Sequence, residues 1–177
     1  PAGKTPIALT PEVTGPRVGY ADFIYDGHRN RLIAIQETHQ AQSEPVVSVV
    51  SISLKPVAGG PGRIEILASG ADFYSSPALS PDGDLLVWLT WSHPNMPWDG
   101  TRLWLSDLDQ AGVPKSTHWV AGSDSESIFQ PGFDGAGTLI FATDKSDWWN
   151  LNRVSIDDLA SPFQLEPMAA MDAEFAA

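Results

Sequence analysis

Three apolar runs recur along this chain at nearly constant spacing, and that recurrence limits the possible folds more than any other feature. The runs are RLIAIQE (31–37), LLVWLTW (85–91) and TLIFATD (138–144), with Leu32, Leu85 and Leu139 standing 53 and 54 positions apart. Each follows a turn sequence, YDGHRN, SPDGD or DGAG. Asp-Gly beside an apolar run predicts a hairpin, because glycine tolerates the positive φ that a tight turn needs. A third strand-like run follows each time, VVSVVSISL, TRLWLSDL and NLNRVSI, and then a fourth, RIEILAS, THWVAG and PFQLEP. Shorter runs, YADFIYD, SSPALS and FQPGFD, precede each turn as first strands.

Four antiparallel strands repeated about every 40–50 residues are the pattern of β-propeller blades. A β-sandwich is the rival all-β reading, but it gives no reason for the same turn chemistry to return at the same place in each unit. The expected fold is therefore all-β: a partial propeller of about three four-stranded antiparallel blades plus a stray outer strand. The expected boundaries are an outer strand of a preceding blade at 6–12, blades at 20–69, 72–122 and 127–167, and a tail at 168–177 leading toward a further blade.

Composition narrows the function classes. The formal net charge is −12, from 10 basic and 22 acidic residues. Such a surface repels phosphate backbones and anionic lipids, so neither nucleic acid nor a membrane is an expected partner. With no cysteine in its 177 residues, the chain has no disulfide, no thiol nucleophile and no cysteine-ligated zinc. The four histidines, His28, His39, His93 and His118, lack the short regular spacing of a metal site. Asp82 and Asp84 flank Gly83 in a turn, without the further oxygen ligands a calcium loop requires. No metal and no cofactor is expected.

Two stretches are more specific than a generic blade: ADFYSSPALSPDGDLLVWLTWSHPNMPWDGTRLWLSDLD and ESIFQPGFDGAGTLIFATDKSDWWNLNRV. They resemble the N-terminal propeller of bacterial prolyl oligopeptidase family serine peptidases, in particular the acylaminoacyl-peptidase and dipeptidyl-aminopeptidase-like branch. HPNMPWDG and SIFQP…WWNL carry most of the likeness. Gly132-Phe133-Asp134-Gly135 departs from the family's usual Trp-Ser-Pro-Asp-Gly, Lys145 stands where Arg is usual, and Asn152 where Tyr is usual. The resemblance implies a non-catalytic propeller portion that covers a peptidase active site and restricts peptide access. The family's Ser-Asp-His triad sits on a C-terminal α/β-hydrolase domain. This chain has neither a Gly-x-Ser-x-Gly elbow nor an alternating βα pattern, so that domain and a peptide substrate are the expected partners. A cytoplasmic location is expected, as is self-association through bare blade flanks.

In an antiparallel meander successive turns alternate between the two ends of the strands. The turns between strands one and two therefore share one propeller face. The links between strands two and three, and between blades, share the other. The second face holds His93, Asn95, Trp98, Asp99, Glu126, Phe129, Trp148 and Trp149, the candidate substrate- or interdomain-facing residues; none is assigned a catalytic role. Trp88, Trp91, Trp104 and Trp119 fall in strands and are read as packing between blades. Two other functions remain open at this level. One is a TolB-like free-standing propeller acting as a protein-binding scaffold. The other is a glycan-processing propeller, although no carboxylate pair is set apart by spacing.

Overall fold

A computed structural model describes residues 7–15, 17–55, 57, 60–156, 159 and 163–174. Among these there is no helix. Strands β1 (Val18–Asp26), β2 (Arg31–Thr38), β3 (Val46–Ser53) and β4 (Ile64–Ser69) form one antiparallel sheet in sequence order. Strands β5 (Phe73–Leu79), β6 (Leu85–Trp91), β7 (Arg102–Leu108) and β8 (Pro114–Gly122) form a second. Strands β9 (Ile128–Phe133), β10 (Leu139–Thr143), β11 (Asn150–Val154) and β12 (Glu166–Pro167) form a third.

The unbroken apolar run of β6 follows from where the sheet sits. Leu86 and Trp88 pack against Ile33, Ile35, Val47 and Val49 of the first sheet. Val87 and Leu89 face the other way, against Ile128, Leu139 and Phe141 of the third. A strand buried on both faces loses the polar half of its alternation. On the far face of the first sheet, Ala34, Val50 and Ile52 are buried among Tyr20, Leu32 and Ile64, while Tyr25 and Ile66 on the same face stay exposed.

Each first strand carries a bulge at the same place. The register slips between Ala21 and Ile24, between Ser75 and Ala78, and between Phe129 and Gly132. A left-handed residue sits in each slip: Asp22 at φ 50°, Ser76 at φ 53° and Gln130 at φ 48°. A bulge adds an unpaired residue and re-aims the chain locally.

The turns keep the predicted place, but only the second uses the predicted glycine. Gly83 is left-handed at φ 81°, whereas Asn30 at φ 51° takes that role in the first sheet and Gly137 at φ 87° in the third. Aspartate caps explain why Asp still opens two of them. Asp26 Oδ1 accepts from Arg29 N at 3.1 Å, and Asp134 Oδ1 accepts from Ala136 N and Thr138 N at 2.9 and 2.8 Å.

The first turn also fastens two sheets together. Arg29 donates to Gly83 O at 2.8 Å and Asp109 O at 3.0 Å, and Arg31 donates to Gly112 O at 2.8 Å. Both guanidiniums rest on the fully buried Asp26 carboxylate, at 3.3 and 2.9 Å.

The stray outer strand at 6–12 is not formed over residues 7–12, and Pro6 lies outside the described residues. Ile7 is 83% exposed, and no described strand offers it a ladder. A single strand without a neighbour gains no hydrogen bonds to offset its ordering entropy. The fourth strand of the last sheet is short, with Arg153 and Asn152 opposite Glu166 and Pro167. Residues 157, 158 and 160–162 of the expected blade and 175–177 of the expected tail lie outside the described residues.

Candidate functional site

The loops between second and third strands, together with the links between sheets, form two adjoining clefts beside Trp149. The first has a volume of about 430 Å³ and lies between the second and third sheets. Trp91, Trp98, Phe129 and Trp149 form its aromatic walls, with Pro97 and Leu89 between them. Phe129 and Trp149 meet edge to face at 6.1 Å. That is a favoured aromatic geometry, because the positive edge of one ring meets the negative face of the other. Trp98 remains 64% exposed at the mouth. An exposed indole beside half-buried Trp91 and Trp149 makes an aromatic patch suited to recognition.

The polar groups of this cleft are engaged within the protein. Thr101 Oγ1 donates to Ile128 O at 3.2 Å and accepts from Ile128 N at 2.7 Å. The Ser127 hydroxyl donates to Pro97 O, and Ser127 N donates to Asp144 Oδ1 at 2.7 Å. The hydroxyls therefore brace the walls, and what the cleft offers a ligand is mainly apolar surface.

The second cleft, about 540 Å³, has the opposite character. Glu126, Asp144, Asp147 and Glu174 line it with Lys145, Ser123 and Ser125, and Trp149 is the wall it shares with the first. Glu126 is oriented by the Thr143 hydroxyl, which donates to its Oε1 at 2.8 Å.

The eight candidate residues separate into groups. Trp98, Phe129 and Trp149 meet in the apolar cleft, and Glu126 joins Trp149 in the acidic one. Asn95 and Asp99 shape the loop: Asn95 Nδ2 donates to Asp124 O at 2.7 Å, and Asp99 Oδ2 accepts from Met96 N at 2.8 Å. His93 stands apart, edge-on to Phe73 at 4.9 Å, with its amide on Asp72. Trp148 lines neither cleft; its carbonyl accepts from Ser146 Oγ and Asn150 Nδ2.

Sequence reasoning missed Trp91, Ser76 and Glu174 as lining residues. Trp91 carried a signal, since it ends β6 and alternation puts it on the face of Leu89. Ser75 and Ser76 reach the cleft through the bulge, which depends on cross-strand register. Trp119, read as packing between blades, is instead 57% exposed, with its indole N–H on Ala121 O.

No family model matches the chain, and no curated protein matches it. Solved structures do. Puromycin hydrolase is similar over 99% of this chain at 29% identity and a TM-score of 0.87, with 27% of that protein covered. A puromycin hydrolase mutant complexed with PGG is similar over 88% of this chain at 32% identity and a TM-score of 0.79, with 24% covered. A puromycin-hydrolyzing peptidase of Mycobacterium tuberculosis is similar over 90% of this chain at 30% identity and a TM-score of 0.76, again with 24% covered. The chain thus spans about a quarter of the length of these structures. Three four-stranded sheets in sequence order, together with these likenesses, identify the chain as a stretch of the N-terminal β-propeller of the prolyl oligopeptidase family of peptidases.

Proposed function

We propose that this chain is the non-catalytic propeller portion of a serine peptidase, in which it covers the active site and restricts access to short peptides. The observation that supports this most is the likeness to puromycin hydrolase, which takes in 99% of this chain and 27% of that protein. Acyl-enzyme chemistry would come from an α/β-hydrolase domain elsewhere in the parent chain, acting on peptides in the manner of the acylaminoacyl- and dipeptidyl-peptidase-like branch. The face carrying Trp98, Phe129 and Trp149 would turn toward that domain. The apolar cleft suits that orientation, because the exposed Trp98 indole and the cleft's apolar walls gain most when a second surface removes them from water.

The test uses the full-length parent enzyme. Trp98→Ala and Trp149→Ala should lower kcat/KM on peptide substrates, or loosen interdomain protection from hydrogen exchange, well beyond the effect of Asp82→Ala on the opposite face. Equal and negligible effects of all three would reject the orientation. An absence of serine-type hydrolysis in the parent would reject the function.

A further inference from the structure

On this rim, the stretches leaving the second and third sheets are each gripped by residues at the junction of that sheet's second and third strands. After the second sheet the grip comes from Asn95 on Asp124 O, joined by Arg102 Nη2 on Asp124 Oδ1 at 2.7 Å. After the third sheet, residues 168–174 are gripped by Asn150. Its Nδ2 donates to Met171 O at 3.0 Å, and its Oδ1 accepts from Met171 N at 3.0 Å. A primary amide presents a donor and an acceptor side by side, as a peptide group does, so this pair continues the ladder past β12. Met168 N reaches back to Leu151 O at 2.9 Å and begins the same docking.

Asn150 is only 5% exposed. Undocking the segment would leave its buried polar atoms short of partners, which is costly where water does not replace them. The same Nδ2 lies within 3.2 Å of Trp148 O and 3.3 Å of Ser146 Oγ, so one carboxamide ties the segment to the 144–149 loop. Three residues beyond Met171, Glu174 Oε2 accepts from Trp149 N at 2.8 Å. Glu174 thereby stands in the acidic cleft with Glu126, a residue of the preceding inter-sheet link.

We infer that Asn150 is a positioning residue for both clefts. By docking residues 168–174 it sets Glu174 against Trp149, so the acidic cleft and the shared indole wall are complete only while the segment is docked. The inference concerns this chain's own surface and stands whether or not the peptidase reading holds. It makes the clefts responsive to any movement of the chain that follows β12.

The test is amide hydrogen exchange and ¹⁵N NMR on this chain. Asn150→Asp keeps the size and the acceptor for Met171 N but removes the donor to Met171 O and Trp148 O. It should speed exchange at Met168 and Met171 at least about tenfold, the consequence of losing a net hydrogen bond of about 1.4 kcal/mol. It should also shift the Trp149 indole N–H resonance while leaving that of Trp88, buried between sheets, in place. Glu174→Ala should move Trp149 as well, and Glu174→Gln, which keeps an acceptor, should restore it. A Trp149 signal unmoved in both Asn150→Asp and Glu174→Ala would overturn the inference. So would a Met171 amide that exchanges at the free-peptide rate in the unaltered chain. If Asn150→Asp fails to fold, Asn150→Ser, smaller and still polar, takes its place with the same two readouts.

Discussion

The Asp22 carboxylate accepts a hydrogen bond from the Ser76 amide at 3.0 Å. The two residues hold equivalent places in successive sheets, both left-handed and both within a first-strand bulge. Ser76 lines the apolar cleft, so a residue of the first sheet steadies a wall that lies between the second and third. Asp22→Ala should cost about 1 kcal/mol, the usual net value of one hydrogen bond. It should also raise hydrogen exchange at Ser76, while Asp22→Asn, which retains an acceptor, keeps most of the protection. Unchanged exchange at Ser76 in Asp22→Ala would show that the bulge holds itself.

Asp26 should be the most sensitive charged position in the first sheet. It is fully buried and is the shared carboxylate of Arg29 and Arg31, which in turn hold carbonyls of the second sheet. Asp26→Ala leaves two guanidiniums without the buried carboxylate they share, and breaking a buried pair in this way costs about 3–5 kcal/mol. Chemical denaturation checks the value. A loss under about 1 kcal/mol would mean that water or Asp84, 3.8 Å from Arg29, takes over the role.

Stability should fall in acid partly through Asp107. The Lys115 ammonium, 2.7 Å away, and then the Ser116 hydroxyl hold this carboxyl down from the ordinary 3.8 to about 2. A depressed folded-state pKa means that the stabilisation is fully present above the unfolded value of 3.8 and is lost as pH falls toward about 2. Urea midpoints measured between pH 2 and 5 should therefore drop less steeply for Asp107→Asn than for the parent sequence. Parallel profiles would assign the acid sensitivity to other carboxylates.

The isolated chain should not hydrolyse acyl-amino-acid or aminopeptidase substrates, nor react with a fluorophosphonate. Its sequence contains no Gly-x-Ser-x-Gly elbow. Stoichiometric labelling of one serine in a pure sample would sink this expectation.

The blade pattern was legible because turn chemistry is local. Asp26, Ser80 and Asp134 open equivalent turns, and apolar runs of strand length follow each. What needed three-dimensional register was not legible. Pro77 and Pro131 hint at a break in pairing, because proline cannot donate to a ladder, but nothing in Asp22-Phe23 does, and the slip itself exists only relative to the neighbouring strand. Loop parity grouped Trp98, Phe129 and Trp149 on one rim, but it did not separate them from His93, which turns to Phe73. Glu174 was beyond reach because its place depends on the Asn150 amide, 24 positions earlier in the chain. Residues 7–12 form no strand for a related reason: a strand is defined by its neighbour as much as by its own residues.

The burial of β6 on both faces has a kinetic consequence. Sheets stacked side by side behave as a one-dimensional array in which each unit is stabilised by its immediate neighbours. The first and third sheets can each open against one described partner, but the second cannot release Leu86 and Trp88 without also disturbing Val87 and Leu89. Opening should therefore travel inward from either side and reach β6 last. Its amides would then report the global unfolding free energy, while those of β12, whose ladder is two residues long, exchange through small local excursions.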